Sequence, residues 1–156
     1  PETQADTHLN ICAVLSQLNK HELALNHAMS AVILLQEMML RKRLDPQSAL
    51  DDDLEDVPGT LQPKETNKDK VAVLAIAYHN MGVEQEFLRS YPAAILSYKK
   101  AVNFAEKHLG PEDGITQNLT LTSCTYWKRA RHKLHYQPHL ALNKENSVTT
   151  RFLVVS

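Results

Sequence analysis

The chain has 156 residues and a mass of 17.6 kDa, a size that fits one compact domain or a section of a longer array. With 43% hydrophobic and 22% charged residues it carries enough apolar surface to exclude global disorder, and its 4 glycines are too few for a meander of tight hairpins. The net charge of −1 hides a dipolar layout: residues 44–66 hold seven acids against one Lys, and residues 127–156 hold six bases against one acid. The longest unbroken apolar run, Val71 to Tyr78, falls short of the ~18 residues that cross a bilayer, so no membrane span is expected. Cys12 and Cys124 are isolated in sequence, which gives neither a disulfide framework nor paired ligand spacing and fits a reducing, cytoplasmic setting. The opening Pro-Glu-Thr has no basic or apolar leader character, and a trimmed piece of a longer protein is expected.

From Asp6 to Leu18 the residues Leu9, Ile11, Cys12, Val14, Leu15 and Leu18 recur at helical intervals. A short break at Asn19-Lys20 precedes a second stripe through Leu23, Ala24, Ala28, Ala31, Val32, Leu34 and Leu35, closed by the bases Arg41-Lys42-Arg43 that suit a helix C-terminus. Two helices joined so closely run antiparallel, and the alanines let their axes approach, so residues 1–43 are expected to form a helical hairpin. Asp45-Pro46, Pro58-Gly59 and Pro63 then forbid a continuous element, and residues 44–66 read as an acidic insert. A second hairpin is expected over 67–110, from about Asn67 to Leu88 and from Tyr91 to His108, with Pro92 in a first helical turn. Periodicity alone leaves a buried strand open for Val71–Ala77, but continuation through Met81, Val83 and Phe87 without a turn signal favours helix. Leu109-Gly110-Pro111 marks a stop, and Glu112-Asp113 open a fifth helix over 111–134. Gln137-Pro138 interrupts it, and residues 135–156 read as a basic, extended tail ending in a β-branched stretch.

Leu23–Ala31 matches Ala93–Ala101 with Ala24 on Ala94, a separation of 70 residues. In the later copy Tyr78, Met81-Gly82, Tyr91, Ala94, Tyr98 and Ala101 fall at the offsets of the tetratricopeptide repeat, and the chain resembles that family. The earlier copy places His8, Ile11-Cys12, Leu15, His21, Ala24, Ala28 and Ala31 at the same offsets, with Cys12 and Ala28 as small replacements. The exit Glu106–Asp113 is similar to the extended repeats of kinesin light chains. The resemblance spans roughly residues 5–36 and 67–130 and implies an all-α fold, a helical-hairpin α-solenoid of about two and a half repeats.

It also implies a non-enzymatic scaffold that binds a peptide or protein segment along a concave groove built by the first helix of each hairpin. The groove residues it assigns are Asp6, Leu9, Asn10, Ala13 and Gln17 in the first unit and Ile76, His79, Asn80, Val83 and Phe87 in the second. Asn10 and Asn80 share an offset, and their amides would either clamp an extended peptide backbone or bond only to neighbouring helices. Partners are expected to be proteins in a larger assembly, with the kinesin-light-chain-like turn pointing to cytoskeletal or ciliary complexes. No small-molecule substrate, cofactor or metal is expected. His21-Glu22 with His27 has the residue types of a zincin motif, but a spacing of six turns the second ring to another side of the helix. Pro138 breaks any shared face of His132, His135 and His139, which leaves a basic tail. The acidic run lacks the glycine and spacing of a calcium loop and reads as a linker or a docking segment for a basic partner. Asn118-Leu119-Thr120 spells a glycosylation sequon within an expected helix. The alternative function is a nucleic-acid-associated helical repeat, in which Lys128, Arg129, Arg131 and Lys133 contact phosphates beside Tyr126 and Trp127.

Overall fold

A computed structural model describes residues 2–44 and 67–135. They form five α-helices: α1 Glu2–Gln17, α2 His21–Leu44, α3 Asn67–Phe87, α4 Tyr91–His108 and α5 Gly114–His135. The described residues contain no strand, so the fold is all-helical and Val71–Ala77 lies within α3. The expected acidic insert, 44–66, and basic tail, 135–156 with His139, lie outside the described residues except for Leu44 and His135, which end α2 and α5.

Each hairpin is closed by the same turn. The Lys20 amide donates to the Leu15 carbonyl at 2.9 Å and the Asn19 amide to Ser16 at 2.9 Å, with Asn19 at φ 57°. Seventy residues later the Ser90 amide donates to Gln85 at 2.8 Å and the Arg89 amide to Glu86 at 3.0 Å, with Arg89 at φ 60°. Both are helix C-terminal caps in which one left-handed residue satisfies the last carbonyls and reverses the chain. Pro92 then starts α4 at a position where a missing amide hydrogen is harmless. At the far end of α4 the Leu109 amide bonds back to Ala105, and Gly110 takes φ 93°, which a side chain would resist. Asp113 caps α5 by accepting the Ile115 amide at 3.0 Å, and its other oxygen meets Lys68 at 3.1 Å, tying the starts of α3 and α5 together.

Helices α1 and α2 pair, α3 and α4 pair, and α2 packs on α3 as α4 packs on α5. Small residues make the close approaches possible: Ala24, Ala28 and Ala31 of α2 and Ala94, Ala101 and Ala105 of α4 have no exposed surface. The two hairpins fill the equivalent gap differently. In the second, Gly82 lies under the Tyr98 ring, so that a Cβ there would sit 3.0 Å from it; in the first, the same positions hold Cys12 and Ala28. A large residue against none has been exchanged for two small ones. The main core joins Leu9, Val32, Leu35, Leu74 and Leu119, which come from all helices except α4, whose Ala101 and Ala105 complete it.

One helix passes the length and composition test for a membrane span, which the lack of a long unbroken apolar run did not reveal. Although no apolar run is long, His21–Arg41 in α2 has the length and mean hydropathy, 1.3, that a membrane span requires. Its alanine seam, with Val32 and Leu35, is packed against the other helices, while Leu23, Met29, Ile33 and Leu40 are exposed.

Candidate functional site

The candidate site is the surface shared by α1 and α3. Of its ten expected residues, Asn10 and Gln17 are exposed and Asp6 and Phe87 are half-buried. Ala13 and Ile76 are nearly closed off, at 7% and 8% exposure. Leu9, His79, Asn80 and Val83 are buried, and this corrects the expectation that all ten line an open groove. Leu9 belongs to the main core, Val83 packs with Ala94, Tyr98 and Tyr126, and the His79 ring lies 5.2 Å from the Tyr98 ring. The physical reason is the central position of α3, enclosed between α2 and α4 with α1 and α5 also touching it. Asn10 and Asn80 therefore occupy equivalent positions in unlike surroundings, the first at the surface and the second in the interior.

Beside this surface lies a polar junction between the hairpins that the sequence pattern did not single out. The His21 Nδ1 donates to Glu84 Oε2 at 2.8 Å, with Glu84 fully buried and the imidazole 16% exposed. The Phe87 ring stacks on His21 at 4.2 Å between centroids and 6° between planes, which fixes the imidazole in place. Burial raises the Glu84 carboxyl above its usual range, opposed by the hydrogen bond and charge of His21 and by Ser16. Glu84 Oε1 and the Ser16 hydroxyl nevertheless fall short of a hydrogen bond of normal geometry. Cys12 is buried, and its thiol is pushed up to about 12, first by burial and then by the Glu84 charge, so it is no nucleophile. The visible signal was a lone acid among apolar positions on one face of α3, Met81 and Glu84, three residues apart.

The other histidines of α1 and α2 meet each other: His8 and His27 approach at 2.8 Å between their Nδ1 atoms, one donating and the other accepting. His21, Glu22 and His27 do not converge, and no group of three metal-ligating side chains occurs among the described residues. On α5, Tyr126 is buried against Tyr98 with ring centroids 4.8 Å apart, so it cannot stack on a base, contrary to the nucleic-acid alternative. Lys128 is exposed and Arg129 half-buried, and the side chains of Arg131, His132, Lys133 and His135 lie outside those described. A notch of about 360 Å³ opens between α4 and α5, lined by Val102, Ser123, Cys124 and Trp127, with the Lys99 ammonium 5.0 Å from the Trp127 ring centre.

Comparison of the chain with protein-family models, curated proteins and solved structures finds no match.

Proposed function

We propose that this chain is a tetratricopeptide-like scaffold, a short α-solenoid that binds a peptide or protein segment along the surface of α1 and α3. The observation that carries the reading is the duplication: two hairpins with the same turn, a left-handed residue at the same offset (Asn19 and Arg89) and buried alanines at two shared seam positions (Ala24 and Ala94, Ala31 and Ala101), 70 residues apart. Stacked units of this kind present the first helix of each hairpin side by side, which makes a continuous recognition surface. The accessible part is Asp6, Asn10, Gln17 and Phe87. Asn10 and Gln17 supply amides that both donate and accept, Asp6 supplies a carboxylate, and Phe87 offers a half-buried aromatic edge. A ligand with an extended peptide backbone matches the two amides. The surroundings proposed for it are cytoplasmic multiprotein assemblies, cytoskeletal or ciliary ones by the family likeness of the turn after α4.

Photocrosslinking tests the reading, with the reactive side chain placed at position 10 on α1 or, as a comparison, at the exposed position 96 on α4. In cell extract, position 10 is expected to capture a discrete protein partner that position 96 misses. Equal capture at both positions, or capture at 96 alone, would move the site away from α1.

A further inference from the structure

The notch of about 360 Å³ between α4 and α5 holds chemistry that the groove does not use, and its size falls within the range of small-ligand pockets, about 300–1,000 Å³. Cys124 lines it with an exposed thiol, in contrast to Cys12, which is buried in the first hairpin. An exposed thiol alone identifies no ligand, but its surroundings do. The neighbouring Ser123 also lines the notch, at 6% exposure, and its hydroxyl has no hydrogen-bond partner. Other hydroxyls of α5 behave differently: Thr120, Thr122 and Thr125 each donate to the carbonyl four residues back, at 2.8, 2.8 and 2.9 Å. A buried donor without an acceptor is costly, and a ligand that accepts from it removes that cost. Among the described residues that line the notch, Lys99 is the one charged side chain, its ammonium held 5.0 Å from the Trp127 ring centre. One turn beyond Cys124 on α5, Lys128 is exposed and adds a second positive charge to the same side. A free donor and a cation, with no acid among the lining residues, fit an anion.

We propose that Cys124 is a site of reversible S-thiolation by a small anionic disulfide, whose carboxylates the notch receives at Lys99 and Ser123. The Cys124 thiol gives its proton to water, and the thiolate attacks one sulfur of the disulfide. The new bond to Cys124 Sγ forms as the disulfide bond of the reagent breaks, and the leaving thiolate takes up a proton. Cys124 is thereby oxidised and the leaving half of the disulfide reduced. Excess small thiol reverses the exchange and restores the free cysteine.

In the test the full chain is treated with oxidised glutathione, an anionic disulfide, or with cystamine, a cationic one, and mass spectrometry of the digested protein follows the adduct at Cys124. The ratio of the two rate constants is compared with the ratio for the same chain unfolded in urea, which cancels the intrinsic difference between the reagents. Folding is expected to shift this ratio by about tenfold or more in favour of glutathione. A change in thiolate fraction moves both rates together, so the ratio reports recognition by the notch rather than thiol acidity. Lys99→Gln and Ser123→Ala, checked as folded by helical dichroism, are each expected to lower the ratio toward its unfolded value, and Lys99→Arg to keep most of it. A ratio that is equal in the folded and unfolded chain, or that neither Lys99→Gln nor Ser123→Ala lowers, overturns the proposal. A Cys124 that neither disulfide reaches also overturns it, by giving the notch to another part of the chain. The notch lies between α4 and α5, so crosslinking at position 10 on α1 is decided separately.

Discussion

His79 and Glu84 sit five residues apart on one buried helix and respond to acid in opposite ways. Burial lowers the His79 imidazole from 6.5 to about 4. The unfolded chain therefore takes up a proton that the folded chain refuses, and stability is lost as pH falls from 6.5 toward 4, by about 3 kcal/mol in all. Glu84 is raised, so the folded chain holds its proton more tightly than the unfolded one. Its effect is a gain in stability as pH falls through the folded value toward 4.5. Urea titrations across this range are expected to show a steeper acid loss in Glu84→Gln and a shallower one in His79→Gln; parallel curves for both variants would contradict these burials. A second residue-scale test concerns close packing. Replacing Gly82 with Ala favours helix by about 1 kcal/mol, yet the new Cβ would press on the Tyr98 ring, itself held by Val83, Ala94 and Tyr126. Overpacking costs about 1–3 kcal/mol, so Gly82→Ala is expected to lower the urea midpoint, and a raised midpoint would mean that the ring is free to move.

At the scale of elements, the turns were legible because their signals are local. The break at Asn19-Lys20, Pro92 in the first turn of α4, Gly110 after its end and Asp113 ahead of α5 each act through their own backbone, and each appears in the structure in that role. Arg89 was silent in the sequence, since no arginine preference marks a left-handed position. Its φ of 60° strains an ordinary side chain by roughly 1–2 kcal/mol, which glycine avoids. Arg89→Gly is expected to stabilise the chain by about 1 kcal/mol in urea unfolding, whereas Asn19→Gly, starting from a residue that tolerates this region, should gain only a few tenths. Destabilisation by Arg89→Gly would show that the Arg89 side chain contributes more than its backbone strain removes. The assignment of groove residues was less legible. An offset within a repeat fixes which side of a helix a residue occupies, but not whether a neighbour covers that side, and this separates Asn10 from Asn80 and buries His79 and Val83.

Over the whole molecule, the helical fold and the pairing of helices followed from periodicity and from the 70-residue match, both properties of sequence. The contacts between hairpins did not. The His21 and Glu84 pair joins residues 63 positions apart, and the local pattern that marks Glu84 as an acid among apolar positions does not name His21 as its partner. Those contacts decide whether the chain is two independent hairpins or one stacked array, and the proposed recognition surface depends on stacking. The direct measurement is a methyl nuclear Overhauser spectrum of the full chain in solution. Stacking predicts cross-peaks between the Met81 methyl and the cluster of Cys12, Ala24 and Ala28, with the His21 ring protons shifted by the Phe87 ring. Cross-peaks confined within each hairpin, and a His21 ring with unperturbed shifts, would contradict the stacked arrangement.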